Sequence, residues 1–256
     1  MSDGARMPGV PEARTDPVLR RYPLRRVRLP VGQGQLSLVV PDERAWMREG
    51  TWAPSVVLGK EPPYWIRIWP AALATARAVQ RVTDLGQASV LDLGCGLGIP
   101  GVLAAAGGAK VTFADLEPDA LAFACWNGRI QPGRRCDPTG VALDWAQGLV
   151  PGSFDLLLLS DVSYHHKHHA PLRRHLEHAL AADGAALHAD PHRDLASRFL
   201  QQLPEPFVTA SWTRPTLCQD RRADVRLTLI SRGRSLLDRW RARFAVPSDK
   251  GPAAGA

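Results

Sequence analysis

Two rhythms of hydrophobic and polar positions run along this chain, and the switches between them set the order of elements. Near the start, Val27 and Leu29 alternate with arginines, a Gly32-Gln33-Gly34 turn follows, and Leu36, Leu38 and Val40 resume the alternation. Alternation on both sides of a glycine turn predicts a β-hairpin over residues 24–40. Residues 42–65 carry Trp46, Trp52 and Trp65 without a period and read as irregular. From Pro70, Leu73, Ala76 and Val79 recur at helical spacing, with proline at the first helical position.

A strand–helix alternation begins at Val90. The short apolar run Val90 to Leu93 ends in a glycine-rich turn, and residues 99–107, small and apolar, read as a helix. Lys110 to Asp115 is a second strand, and 117–128 a helix opened by Glu117, Pro118 and Asp119. Thr139 to Leu143 and Phe154 to Ser160 follow as strands; the unbroken Leu156 to Leu159 run fits a strand covered on both faces. Leu172, Leu176, Ala179 and Leu180 form a helical stripe ahead of a strand from Ala185 to Ala189, and Leu195, Phe199 and Leu203 mark another helix. Phe207 to Trp212 and Val225 to Ile230 are the last strands, and Leu236, Leu237, Trp240 and Phe244 a terminal helix. Repeated strand–helix units with buried strands predict a doubly wound α/β sheet. Two late strands joined by little more than a loop make one of them antiparallel.

Composition changes this picture little. At 256 residues, with 45% hydrophobic and 22% charged residues, the chain has enough material for one large core without metal or disulfide staples. No apolar stretch approaches the roughly 18 residues of a membrane span, and Met1 to Arg28 has no apolar core of the kind a signal peptide needs. Cys95, Cys125, Cys136 and Cys218 are scattered with no C-x-x-C pair, which argues against a zinc ribbon and a secreted disulfide framework. The expectation is a soluble cytoplasmic protein. The net charge of +7 belongs to the ends: residues 1–30 hold seven arginines against three acids, and residues 221–256 nine basic against three acidic residues. Such ends serve solubility or attract an acidic partner; no stripe of interleaved aromatics accompanies them. The tails at 1–20 and 247–256, rich in Pro, Gly and Arg or small residues, are expected to be disordered.

The chemistry concentrates in Asp92-Leu93-Gly94-Cys95-Gly96-Leu97-Gly98. Glycines after a first strand let backbone approach a ligand, and the next helix offers its N-terminus. Gly96, Gly98 and Gly101 also match a dinucleotide fingerprint, but that triplet starts three residues past the strand, and Asp92 would repel a pyrophosphate. The string resembles motif I of the class I S-adenosylmethionine (SAM) methyltransferases. The resemblance implies a Rossmann-like, seven-stranded fold with one antiparallel strand, SAM as cofactor, and Gly94, Gly96, Gly98 and Asp92 around its amino-acid part. Asp115, ending the next strand, matches the acid that binds both ribose hydroxyls, with Leu116 beside it. A carboxylate accepts two O–H bonds at once, although an Asp there also serves as an ordinary helix cap. Asp144 and Trp145 match the place where adenine is held by a hydrogen bond and ring contact.

Two further segments narrow the resemblance. Pro63-Tyr64-Trp65-Ile66-Arg67-Ile68-Trp69-Pro70 precedes the helix before motif I, and Asp161-Val162-Ser163-Tyr164 ends the fourth strand. Together they resemble the seven-β-strand protein lysine methyltransferases called methyltransferase family 16. With Asp190-Pro191-His192-Arg193 they are most similar to enzymes that methylate the electron transfer flavoprotein β subunit. The likeness covers about residues 60–200 and departs at His192, where that subgroup more often has glycine. It implies that Trp69 helps form the SAM pocket and that Asp161 and Tyr164 line the entry for the accepting lysine, Asp161 binding and orienting it. It divides the chain into an extension at 21–69 carrying the hairpin and a methyltransferase domain at 70–246. The expected partner is a protein substrate, the electron transfer flavoprotein β subunit or a ribosomal protein among the candidates. The alternatives are a small-molecule amine or RNA acceptor and a non-catalytic SAM-binding module; a membrane is not expected. The Asn-Pro-Pro-Tyr type motif of nucleic-acid amino methyltransferases is absent at 161–164. The His165-His166-Lys167-His168-His169 run reads as a solvated loop and helix start rather than a metal site, and no metal is expected. Asn127 reads as a helix cap.

Overall fold

The computed structural model describes residues 9–32, 34–49, 63–82, 85–218 and 221–246. Strands are β1 (Leu24–Val31), β2 (Gly34–Pro41), β3 (Ser89–Leu93), β4 (Lys110–Asp115), β5 (Thr139–Ala142), β6 (Phe154–Ser160), β7 (Leu180–Asp190), β8 (Phe207–Cys218) and β9 (Arg221–Arg232). Helices are α1 (Val10–Ala13), α2 (Glu43–Glu49), α3 (Pro70–Val79), α4 (Ile99–Ala106), α5 (Pro118–Arg129), α6 (His169–His178), α7 (Asp194–Gln201) and α8 (Arg234–Arg243).

The unbroken apolar runs sort into two faces because successive strand residues point opposite ways. Val90, Leu156, Leu158, Ala185 and Leu187 join a core with α3, α4, α5 and α8, while Leu91, Leu93, Leu157, Leu159 and Ala186 join a second core with α6 and α7. Between the two lies a seven-stranded sheet in the order β5-β4-β3-β6-β7-β9-β8. Strands β3 to β7 pair in parallel, and β9 is antiparallel to both of its neighbours. This is the expected doubly wound sheet with one antiparallel strand. The chain runs outward from β3 to β5 and then returns to β6 on the other side of β3. A crevice therefore opens beyond the carboxyl ends of β3 and β6, where ligands bind in such sheets.

Several boundaries differ from the sequence expectation, each for a nonlocal reason. Leu180 belongs to β7 rather than the preceding helix, because it pairs with Phe154; the register shift before Ala185 absorbs the residues between. β8 and β9 are twelve residues each, longer than expected, since ladder pairing with a neighbour holds residues whose outward positions are polar. The stretch expected to be irregular contains α2, while Trp52 lies outside the described residues. The expected disordered tail at 1–20 is corrected for residues 9–20: α1 folds there, and Ala13 and Leu19 are fully buried. Residues 1–8 and the expected tail at 247–256 lie outside the described residues.

The hairpin of β1 and β2 is fastened to α5. Asn127, expected as a helix cap, instead accepts from Val39 N–H at 2.8 Å and donates to Val39 C=O at 2.9 Å. An amide side chain can do both at once, so it completes the edge of β2 as a third strand would. Gln131 adds a donation to Ser37 C=O at 3.0 Å. Upstream, the Tyr22 hydroxyl and Arg21 both bind Asp119 in the first turn of α5. Burial raises the Tyr22 pKa, and the bond to Asp119 raises it further.

Asn127→Ala removes two buried hydrogen bonds and leaves both polar groups of Val39 unpaired. The expected loss of stability is roughly 2–4 kcal/mol, measured by urea unfolding; a loss below about 0.5 kcal/mol would show that the hairpin does not depend on the clamp.

Candidate active site

The turn after β3 is built by close backbone approach. Gly94, Gly96 and Gly98 have φ of +67°, +51° and +71°. At Gly98 a Cβ would stand 2.6 Å from Ala124 Cβ and 2.9 Å from Phe113, so the position excludes side chains on conformation and on space. The amides of Gly94 and Cys95 donate to Ala114 C=O at 2.8 and 3.1 Å, tying the turn to the end of β4. Trp65 passes over the turn, its carbonyl 3.3 Å from where a Gly96 Cβ would be.

Two acids flank the turn in different states. Asp92 is 1% exposed and accepts from Gly101 N–H at 2.9 Å, inside α4. Burial pushes its pKa up to about 8, with the Gly101 amide opposing the shift and the Asp115 charge adding to it, so at neutral pH Asp92 does not carry the charge expected to repel a pyrophosphate. Asp115 accepts from Gly96 N–H at 2.8 Å and Glu117 N–H at 3.0 Å, and burial raises its pKa against those amides. With the Leu116 amide also on it, Asp115 has backbone donors only and keeps acceptor capacity at the edge of the crevice, which suits a pair of vicinal hydroxyls. Beside it Leu116 is 63% exposed, an apolar side chain without cover at the same edge. Trp145 packs over Gly94, close enough that a Cβ there would lie 2.7 Å from its ring. The residue set therefore fits SAM: an acid for the ribose, apolar and aromatic surface for adenine, and a glycine turn for the amino-acid part.

Not every expected side chain is free for that role. Both Asp144 oxygens are engaged within their own turn, by Ala146 N–H at 2.9 Å and Gln147 Nε2 at 2.8 Å. Trp69, preceding α3, donates its indole N–H to Tyr64 C=O at 3.0 Å and leans on the Tyr64 ring. Trp65, which the sequence pattern did not single out for the site, is packed between Tyr22 and Phe123 and sets the roof of the turn.

At the end of β6, Asp161 has φ +56°, a left-handed conformation that Asp tolerates better than most residues. Tyr164, three residues on, is 39% exposed. The loop between them is held by the last two histidines of the run, which are buried against the expectation, while His166 and Lys167 are exposed as expected. His168 and His169 are buried: Nδ1 of the first lies 3.1 Å from Val162 C=O, and Nε2 of the second 3.3 Å from Ser163 C=O. His188 reaches from β7 with Nε2 2.8 Å from Ser163 Oγ. Burial lowers its pKa to about 4, so it is neutral at physiological pH. Its Nδ1 stands 3.8 Å from Asp190, too far for a hydrogen bond. Ser163, His188 and Asp190 are each at most 1% exposed, and Arg226 holds both Asp190 oxygens at 3.0 and 3.1 Å. They form a scaffold and not a hydrolytic triad. Among the described residues no group of three or more His, Cys, Asp or Glu is placed to hold a metal ion.

His192, the departure noted in the sequence, has φ +59°. Glycine adopts that conformation without strain; here the ring Nε2 lies 3.2 Å from Thr213 Oγ1. Its neighbour Arg193, to which the sequence pattern assigns no role, forms two guanidinium bonds to Asp161, at 2.9 and 3.1 Å. The Asp-Pro-His-Arg string was visible, but nothing local pointed to a partner 32 residues away.

A family model described as lysine methyltransferase matches residues 65–205, more than half of the chain. Protein N-lysine methyltransferase METTL21A of Danio rerio is 33% identical over 147 residues, covering 55% of this chain and 67% of the relative. EEF1A lysine methyltransferase 3 of Mus musculus is 36% identical over 101 residues, with 38% and 43% covered. Electron transfer flavoprotein beta subunit lysine methyltransferase of Danio rerio is 30% identical over 131 residues, with 50% and 48% covered. The chain thus spans two thirds of the first and less than half of the other two. Among solved structures, a candidate SAM-dependent methyltransferase of Streptococcus mutans superposes with a TM-score of 0.54 at 13% identity, over 80% of this chain and 55% of that one. A candidate RNA methyltransferase of Pyrococcus horikoshii gives 0.51 at 16% identity, over 73% and 98%. At such identities these two show the shared fold alone. The chain belongs to the lysine methyltransferase family, whose cofactor is SAM.

The state of Asp92 has a consequence for stability. Below its ordinary value of 3.8 the carboxyl is neutral in folded and unfolded chains alike. Between there and about 8 only the unfolded chain ionises it, so this group's contribution falls as pH rises, by up to about 1.4 kcal/mol per unit, and then levels off. Asp92→Asn removes that dependence. Its stability relative to the unsubstituted protein should climb from pH 5 to pH 8 in urea unfolding; parallel curves would show that Asp92 is not held neutral.

Proposed function

We propose that this member of the lysine methyltransferase family transfers a methyl group from SAM to the side-chain amine of a lysine in a protein substrate. The observation that carries this reading is a juxtaposition at one sheet edge. Asp161 and Tyr164 follow β6, the strand paired with β3, whose own end carries the glycine turn and faces Asp115 on β4. A cofactor cradle and an acidic, aromatic-flanked entry thus share one crevice. The relatives' names, with lysine as acceptor, support the same assignment.

In this reading Asp115 binds the ribose hydroxyls, Leu116 and Trp145 cover the adenine, and the turn from Gly94 to Gly98 receives the amino-acid part. Trp69 borders the pocket from α3. When bound, SAM supplies a methyl group on a sulfonium, open to in-line attack by an amine. The protein's contribution is mainly positioning. Asp161 accepts a hydrogen bond from the incoming amine and aims its lone pair, and Tyr164 forms an aromatic wall that excludes water from the lysine stem. A lysine of ordinary pKa is neutral only about once in a few thousand at pH 7, a cost of roughly 4–5 kcal/mol. The entry must therefore bind the amine without securing its proton. Among the described residues no helix is long and apolar enough to cross a membrane. The cysteines Cys95, Cys125, Cys136 and Cys218 are free, which supports a cytoplasmic location.

Methyl-labelled SAM added to lysate of the source organism tests the assignment, with Asp161→Asn as the control, since Asn also tolerates positive φ. Label in lysine of one protein, read by peptide mass spectrometry and lost in the variant while SAM affinity stays within a few fold, is the expected result. Label in RNA or small metabolites would overturn the protein-lysine reading. Separately, Asp115→Ala should weaken SAM by roughly 1.5–3 kcal/mol, the scale of hydrogen bonds to a charged group. An unchanged dissociation constant by calorimetry would refute the ribose role.

A further inference from the structure

Asp161 meets the acceptor with its charge already engaged. Arg193 Nε donates to Asp161 Oδ1 at 2.9 Å and Nη2 to Oδ2 at 3.1 Å, the two-pronged geometry in which guanidinium binds carboxylate best. The Asp161 side chain is 8% exposed and that of Arg193 42%, so the carboxylate is sheltered while the cation borders solvent. Arg193 is in turn fixed through its backbone: its N–H donates to Asp190 Oδ1 at 2.9 Å, and Asp190 is clamped by Arg226. The guanidinium thus comes from the turn between β7 and α7 onto a carboxylate at the end of β6.

Without that cation the entry would work against its own chemistry. A sheltered carboxylate favours the ammonium form of any lysine placed against it, and an ammonium has no lone pair with which to attack. A neighbouring guanidinium has the opposite effect. The other charged or titratable groups around the pair are accounted for. Asp190 is neutralised by Arg226, His168 and His169 are turned to main-chain carbonyls, and His192 is turned to Thr213. Tyr164 also lies within electrostatic reach of Arg193.

We propose that Arg193 is a positioning residue that cancels the charge of Asp161, so that the carboxylate orients the substrate lysine by hydrogen bonding while the ammonium releases its proton to solvent on docking. The inference rests on the lysine acceptor argued above. It also gives the Asp161–Arg193 pair a function that structural ion pairing does not require. Each carboxylate oxygen keeps a lone pair for the amine after receiving its bond from Arg193.

The test uses the full-length protein, its mapped substrate, and Arg193→Gln and Arg193→Lys variants. The pH profile of kcat, which reports groups in the enzyme–substrate complex, is expected to move up by about one unit or more in Arg193→Gln. That corresponds to about a tenfold loss at pH 7.5 for each unit, recovered near pH 10; Arg193→Lys, which keeps the charge, should fall between. A second readout needs no turnover. A peptide carrying the mapped lysine is titrated into enzyme loaded with S-adenosylhomocysteine, in two buffers of different ionisation enthalpy. The unsubstituted protein should release protons on binding, and Arg193→Gln fewer. S-adenosylhomocysteine affinity unchanged from the unsubstituted protein confirms that each variant is folded. Equal loss at every pH, or equal proton release, would overturn charge compensation and leave Arg193 a merely structural partner. If the unsubstituted protein labels no lysine at all, the acceptor assignment itself falls, and this inference with it.

Discussion

Close packing around the turn after β3 is the constraint on which the rest of the site depends. A Cβ at Gly98 would collide with Ala124 on α5, and one at Gly101 would lie 2.4 Å from Phe113 and 2.9 Å from Asp92. Their absence lets α4 settle against β3, β4 and α5 at once. That single approach brings the Gly101 amide onto Asp92 and the Gly96 amide onto Asp115. Loosening it would move both acids and the N-terminus of α4 together, because interiors at this density have no slack to absorb a methyl group.

The crevice gathers three carboxyl groups at the ends of adjacent strands, and the structure treats each differently. Asp92 is buried far enough to stay protonated up to about pH 8. Asp115 has backbone amides as its donors in the protein and keeps acceptor capacity at the surface of the crevice. Asp161 is matched by a full cation. Bare carboxylates at Asp92 and Asp115 would repel one another, and one at Asp161 would hold the proton on an incoming amine. Distributing them among a neutral acid, an amide-bound acid and an ion pair leaves a site able to recognise hydroxyls on one side and an amine on the other.

The loop carrying Asp161 and Tyr164 has little regular structure of its own, yet His168, His169 and His188 pin its carbonyls and its serine. Burial keeps His188 neutral across the physiological range. At the opposite side of α5, Asn127 and Asp119 anchor the N-terminal segment and hairpin, and Tyr22 packs between Trp46, Trp65 and Phe123. Through Trp65 that packing reaches the glycine turn, which ties the extension to the site.

The sequence by itself determined the strand–helix order, the single antiparallel strand, the glycine turn and the acids at the strand ends. Those features are written in local periodicity and in residue types at fixed spacing, which depend on neighbours a few positions away. Only the tertiary structure decided what those side chains face. Asn127 clamps a strand 88 residues upstream, and Arg193 neutralises a carboxylate 32 residues upstream. Leu180 belongs to a strand because Phe154 lies opposite it. His168 and His169 are buried because Val162 and Ser163 offer carbonyls to them, while His166 and Lys167 of the same run stay exposed. Pairings of this kind arise when the sheet closes and distant segments meet. No propensity or spacing along the chain encodes them, and the charge balance of the site rests on them.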